Sequence, residues 1–434
     1  MVNNAKILAK KFWKNHLVRD VTLLSAGTAG AQALSILSAP IITRLYGPEA
    51  YGIFGVFLSF LTILSSMGAM SYPLALPLPQ ERGEAIQITR ISAIAALCFC
   101  SLLAVLILIP TSLSEQLQSA SRLGEWLHWI PLALLIGTSA QIASQWLVRD
   151  KVFKATSTIT LANSAWTNAG RIILGFAWPS VAALILTHIA GQILLTARMA
   201  TVIHRHLLAG QSKNTQTIQS PRALINIAAK YKSFPLYRAP QDFINSVSRG
   251  IPIILLSTIS GPGAAGLYAL ATQMVGTPSS LIGNAVTNVL YPEMTQKARE
   301  NGQLTPAIIK STGILALLGI APFGAIILFS PAIFSAIFGD SWAEAGIFSQ
   351  WLSILYYFNF INKPAVAAIP ALGIQRELLI YEIASTTAKL AGLYYGFTYL
   401  RGSTPAIALF SIAGAVAYII LILRVIIVSR REKK

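Results

Sequence analysis

Twelve runs of largely apolar residues follow one another along this 434-residue chain. Each is long enough to cross a bilayer. Their approximate limits are 20–42, 51–76, 87–110, 126–148, 153–177, 179–200, 239–259, 264–290, 307–330, 342–370, 377–400 and 404–428. Hydrocarbon offers no hydrogen-bond partners, so a crossing segment must satisfy its own backbone, which a helix does within itself. The expectation is an all-α polytopic membrane protein. Only 11% of residues are charged and 54% are hydrophobic, against roughly 25% charged in soluble domains. A soluble fold built from this chain would expose apolar patches larger than monomers tolerate. The tenth run is long for one crossing and carries Pro364 and Pro370, so a kink or an interfacial end is expected there.

The placement of charge orients the chain. With the N-terminus in the cytoplasm, 26 of the 33 Lys and Arg residues fall in inner segments, and only Arg44, Arg122 and Arg401 fall outside. The opposite topology would invert the positive-inside bias, so both termini are expected to be cytoplasmic. The formal charge of +18 does not point to nucleic acid, because the basic residues sit in short segments between apolar runs and no polar domain carries them. The basic N-terminus lacks the short apolar stretch and cleavage site of a signal peptide. Cys98 and Cys100 lie in one apolar run, read as small packing residues. No metal-ligand or redox spacing is present, and no cofactor is expected. No outer loop exceeds about 20 residues, too little to build a water-facing enzyme site, so the chain is expected not to be an enzyme.

A turn is written twice. Gly47, Pro48, Ala50, Gly52 and Phe54 recur as Gly261, Pro262, Ala264, Gly266 and Tyr268, always 214 residues later. At the same offset "LALPLPQERGEA" matches "NVLYPEMTQKARE". Six runs plus six, each set starting inside, describe a parallel repeat whose pseudo-axis runs along the membrane normal. The expected architecture is twelve transmembrane helices in two pseudo-symmetric six-helix bundles around a central cleft. Residues 1–200 form the first bundle, 201–238 a basic cytoplasmic linker, and 239–434 the second bundle. The Gly-Pro elbows permit a tight return. Pro40 and Pro252 lie inside or near the ends of runs 1 and 7, where a proline frees a carbonyl and bends the helix. Pro40, Pro252, Gly47, Pro48, Gly261 and Pro262 are therefore the candidate bends and gate positions.

Charges within the spans are costly and face a cavity or a partner. Arg171, Asp242, Arg249, Lys363, Glu382 and Lys389 qualify. Asp242 and Arg249 stand seven apart on one helix face, and Glu382 and Lys389 repeat that arrangement with the acid again nearer the cytoplasm. Four bases against two acids leave the interior positive. Arg249, Lys389, Arg171 and Lys363 are candidate ligands for an anionic head group, with Arg44 at the outer rim. Asp242 and Glu382 are candidates for ion coupling. Snorkelling and internal ion pairing are the plainer reading of the same residues.

The stretch "SAGTAGAQALSILSAPIITRLYGPEAYGIFGVFLSF", followed by "PLPQERGEA", resembles the opening of the polysaccharide transporter family, the Wzx-like flippases of the multidrug/oligosaccharidyl-lipid/polysaccharide exporter superfamily. The resemblance is strong over roughly the first 90 residues; beyond them it rests on span count, duplication and cationic spans. It implies two six-helix bundles with a cationic lumen. It also implies translocation of an undecaprenyl-pyrophosphate-linked oligosaccharide (an O-antigen, lipopolysaccharide, capsule or exopolysaccharide unit) across the bacterial inner membrane by alternating access. Implied partners are the lipid-linked oligosaccharide, membrane lipids, a polysaccharide polymerase and a chain-length regulator. Two alternatives stand beside it. A drug or metabolite exporter of the same superfamily should carry acids in the first bundle, and the interiors of runs 1–6 hold none. A polymerase or ligase should carry a long outer loop, and none is present.

Overall fold

The computed structural model describes residues 16–109, 122–209, 221–300 and 303–431. Among these residues all regular structure is helical. The long helices are α1 (His16–Gly68), α2 (Arg82–Leu108), α3 (Ile130–Arg149), α4 (Phe153–Ala177), α5 (Val181–Ala209), α7 (Ala239–Ser260), α8 (Pro262–Arg299), α9 (Leu304–Phe338), α10 (Ala343–Ile361), α12 (Gln375–Thr398) and α13 (Ser403–Arg431). Shorter ones are α6 (Pro221–Lys230) and α11 (Lys363–Ala368). Each of the twelve apolar runs overlaps one or more of these helices among the described residues. Seven segments are both long and apolar enough to be candidate crossings by themselves, with windows of mean hydropathy from 1.2 to 2.8. The protein is a multi-pass membrane protein. The face of α9 bearing Leu317, Leu318, Leu328 and Phe329, each more than half exposed, is the kind of surface that lipid covers in a membrane protein.

Helix ends follow the punctuation in the chain. The second run, read to residue 76, stops as helix at Gly68, because Met70 and Ser71 take positive φ and Pro73 opens a short 3-10 turn over Tyr72–Ala75. The tenth run breaks as expected: α10 closes at Ile361, and α11 begins at Lys363 with Pro364 in its first turn, where a missing N–H costs nothing. Of the expected linker 201–238, residues 210–220 lie outside the described residues. α5 runs on to Ala209, and the rest is the amphipathic α6 and a π-helical turn over Phe234–Arg238.

The chain forms two compact units: residues up to Ile42 with Phe60–Phe243, and Thr43–Ser59 with Ile244 onward. In the first unit small residues let helices approach. A Cβ on Gly27 of α1 would lie 2.0 Å from Ser157 Oγ of α4, and one on Gly191 of α5 would lie 2.4 Å from Thr167 Oγ1 of α4. A polar seam joins α1 to α4: Ser164 Oγ donates to the Ala31 carbonyl (2.8 Å), and Asn168 Nδ2 donates to Ser35 Oγ (3.2 Å). Hydrogen bonds of this kind hold helices together where burial of apolar surface supplies little drive.

In the second unit α10 is central. Phe348 and Leu352 are fully buried, and Gly346 lies against the Pro331 backbone of α9, where a Cβ would be 2.5 Å from Pro331 Cα. A larger cluster packs Val275, Leu315, Phe323, Phe360, Leu421 and Val425.

The repeated turn meets its own copy here. α1 breaks at Gly47 (φ 70°, ψ 172°), and Gly261 (φ 96°) separates α7 from α8; Pro48 and Pro262 then start the following helical segments. A Cβ on Gly52 would sit 1.7 Å from the Pro262 carbonyl oxygen, and one on Gly266 would sit 2.0 Å from the Pro48 carbonyl oxygen. A Cβ on Gly55 would come within 3.2 Å of Ala269 Cβ, its counterpart at the same offset. The contact is reciprocal, as across a two-fold axis. It carries Thr43–Ser59 into the second unit, where Tyr51 also donates to Gln273 Oε1 and meets Trp342 edge-on at 5.7 Å.

Backbone carbonyls cannot swing aside as a flexible side chain can. Gly52→Ala and Gly266→Ala are therefore each expected to destabilise the protein by about 1–3 kcal/mol or more. Gly137→Ala in α3, where a Cβ meets nothing within 4 Å, should be neutral or stabilising by about 0.4–1 kcal/mol. Thermal unfolding of the three variants in detergent reads the difference.

Candidate functional site

Arg249 of α7, Lys363 of α11, and Glu382 and Lys389 of α12 come together in the second unit. Lys389 Nζ of α12 donates to Ser248 Oγ of α7 at 2.6 Å. Asn245 Nδ2 of α7 donates to Glu382 Oε2 of α12 at 3.2 Å. Both helices therefore run the same way, with the acid near the start and the bases deeper, as the seven-residue spacing implied. Arg249 is within electrostatic reach of both Lys363 and Lys389, and of Tyr356 and Tyr418. Glu382 is within reach of Lys389. Asn359 Nδ2 of α10 donates to Tyr418 OH of α13 at 2.6 Å. The group thus holds three cations, one carboxylate and a set of neutral hydrogen-bonding side chains.

Local sequence explains how the lysines fit. Gly283 of α8 faces Lys363: a Cβ there would be 2.7 Å from Lys363 Cε. Gly414 of α13 faces Lys389, whose Cδ would be 3.2 Å from such a Cβ. Each long aliphatic stem lies over a glycine. Pro252, inside α7, has no N–H for the carbonyl four residues back, that of Ser248, so this acceptor is released beside Arg249. Proline therefore shapes the polarity of the cluster as well as the path of the helix.

The other expected site residues are placed elsewhere. Arg44 is engaged at the end of α9, where its Nε donates to the Ile337 carbonyl (3.1 Å) and its Nη2 to the Ala336 carbonyl (2.9 Å). A cation there satisfies last-turn acceptors and suits the helix dipole. Arg171 of α4 lies in the first unit with His188 of α5 as an electrostatic neighbour. Asp242 pairs with Arg238, one turn earlier, at 3.0 Å, and this pair is half exposed near the start of α7. Of the five proposed anion ligands, then, Arg249, Lys363 and Lys389 share one place. Asn359, Tyr418, Gly283 and Gly414 were not singled out from the sequence. Asn359 had a signal, an amide between two phenylalanines in the aromatic run "YYFNF"; the glycines had none.

Such an arrangement can hold an anion through cations whose charge is not cancelled by carboxylates. Among the described residues no group of His, Cys, Asp and Glu is placed to hold a metal ion.

Gly283→Ala is expected to push the Lys363 ammonium from its place and leave the fold intact, because only a flexible side-chain end must yield. Titration of purified protein with inorganic pyrophosphate should show binding weakened several-fold. Gly313→Ala, with nothing within 4 Å, should leave it unchanged.

A family model described as polysaccharide biosynthesis protein matches residues 41–346. The chain is 22% identical to the succinoglycan biosynthesis transport protein ExoT of Rhizobium meliloti (strain 1021) over 391 residues, covering 88% of this chain and 74% of ExoT. It is 26% identical to the teichuronic acid biosynthesis protein TuaB of Bacillus subtilis (strain 168) over 189 residues. That match covers 43% of this chain and only about two fifths of TuaB (39%). The fold is similar to that of lipid II flippase MurJ in an inward closed conformation, with a TM-score of 0.74, 14% identity, and coverage of 95% of this chain and 91% of MurJ.

Proposed function

We propose a function on one premise: the chain belongs to the polysaccharide biosynthesis protein family. It acts as a flippase for an anionic lipid-linked oligosaccharide, of the undecaprenyl-pyrophosphate-linked kind, and carries a repeat unit of a surface or secreted polysaccharide across the bacterial inner membrane. Twelve crossings in two pseudo-symmetric sets of six, with both termini inside, provide the path by alternating access.

The observation that carries the reading is the gathering of Lys363 and Lys389 about Arg249, with one carboxylate, Glu382, beside Lys389, within the second unit. A pyrophosphate needs cations that structural carboxylates do not neutralise, and a sugar needs a polar route through about 30 Å of hydrocarbon. The prenyl tail needs neither and can stay in lipid. Translocation forms and breaks no covalent bond, which agrees with relatives whose names are those of transport and biosynthesis proteins. Arg171 of the first unit and Arg44 at its helix end serve the same anion earlier and later on its way. Glu382 and Asp242 are the carboxylates available for coupling to an ion gradient. The membrane potential is a second source of drive, at about 2.3 kcal/mol per charge per 100 mV. A polymerase and a chain-length regulator are the partners that such a step would feed.

The test is translocation of a lipid-linked saccharide in proteoliposomes. Each charge-assisted contact is worth about 1.5–3 kcal/mol, so Arg249→Ala with Lys389→Ala should slow export at least about tenfold. Wild-type export by a folded double variant would remove the cationic cluster from the mechanism.

A further inference from the structure

The first unit holds a cavity that the transport reading does not use. Its volume is about 610 Å³, within the range of small-molecule sites. The walls are the loop before α2, the first turns of α2, and the end of α6 with the residue that follows it. Glu81, Glu84 and Gln87 come from the α2 side, and Asn226, Lys230 and Tyr231 from the other.

This cavity is braced. Glu84 accepts from Lys230 Nζ at 2.5 Å, and its side chain is only 17% exposed. The Tyr231 ring is buried among Tyr72, Leu76 and Trp146, and Gln87 is 3% exposed. The wall-forming loop is held from behind by Arg149, which donates to the carbonyls of Leu76 (3.1 Å), Pro79 and Gln80 (3.1 Å) and leans on the Trp146 ring. A site held open in this way binds without first paying to order its walls.

The chemistry of the walls selects a ligand class. Two carboxylates face one ammonium that is already paired with one of them, and the Arg149 guanidinium spends its N–H groups on backbone carbonyls behind the loop, so a phosphate or pyrophosphate finds two carboxylates and no cation left to pair with it. A divalent cation meets that same ammonium. An acyl or prenyl chain would bury carboxylates and amides without partners, which is costly. Hydroxyl groups both donate and accept. Primary amides do the same and carboxylates accept, while the Lys230 ammonium and the Tyr231 phenol are already engaged by Glu84. The geometry points to a saccharide-binding site in the first unit, taking a neutral or amino sugar through its hydroxyls. The cavity alone carries this inference; the proposed transport role supplies only a source for the sugar.

The experiment is saturation-transfer NMR on the full chain in detergent, with lactose, glucosamine and inorganic pyrophosphate as probes. Glu81 and Asn226 are exposed, so Glu81→Ala and Asn226→Ala spare the core; Glu81→Gln replaces the alanine variant if melting shifts. The wild type should give transfer to a saccharide that pyrophosphate does not displace. The double variant should bind it at least about tenfold more weakly, the effect of losing one or two hydrogen bonds to charged or buried partners. Three results overturn the inference: no transfer to either sugar, full-strength binding by the double variant, or displacement by pyrophosphate. The Arg249→Ala, Lys389→Ala protein is measured alongside. If it keeps saccharide binding but loses export, both readings stand. If it keeps both, the transport reading alone falls. If it loses the saccharide while the Glu81, Asn226 variant keeps it, the sugar sits at the cationic cluster and the present site is wrong.

Discussion

A solvent that cannot hydrogen-bond leaves each polar group in a membrane protein to find its partner within the chain. Many small polar residues of this protein obey that constraint locally. Ser35, Ser59, Ser92, Thr138, Thr156 and Ser349 each donate to a carbonyl one turn back. A hydroxyl satisfied in this way is as quiet as an alanine and can sit against a neighbouring helix. Groups that cannot be satisfied by their own turn must reach across. Those reaches, Asn168 to Ser35, Asn245 to Glu382 and Lys389 to Ser248, set which helices lie side by side and in what register.

The same constraint governs the duplicated elbow. A chain that turns back at the membrane boundary needs a helix break, and a glycine with positive φ followed by proline supplies one at Gly47 and again at Gly261. The second glycine of each copy does different work. Gly52 and Gly266 have no conformational need for glycine; they are small because the partner elbow's carbonyl occupies the place of a side chain. The motif is repeated because each copy is the other's surface. Loss of either second glycine would spoil both halves of one contact. This also explains why Thr43–Ser59 belongs with the second unit although the first run begins in the first.

Much of this could be read from the chain, and the part that could not has a common cause. Helix positions followed from apolar runs, and helix ends from Gly and Pro, because both are local. The second run was read eight residues too long, because "SYPLALPL" is as apolar as a helix interior and only the positive φ at Met70 and Ser71 ends it. The seven-residue spacing of Glu382 and Lys389 placed them correctly on one face. It could not say that Asp242 would pair backwards with Arg238, nor that Arg44 would close the end of α9. Those partners are set by tertiary neighbours. Gly283 and Gly414 were equally silent, since a glycine that makes room for a lysine on another helix looks like any other glycine in an apolar run. The saccharide cavity escaped for the same reason: Glu84 and Lys230 are 146 residues apart.

Bases find different partners along the helices. Near the helix ends several pair with acids: Lys230 with Glu84, Arg238 with Asp242, Lys297 with Glu293, and Arg424 with Glu377. These pairs are partly exposed and contribute little to stability. Inside α7, α11 and α12 the pattern changes. Lys389 gives its hydrogen bond to a serine hydroxyl, and Glu382 takes one from an asparagine amide. A pair built only for stability would bring the ammonium and carboxylate together, since each then repays part of the other's desolvation. Arg249 and Lys363 lie close by, so three bases and one carboxylate share this part of the span with neutral hydrogen-bonding groups.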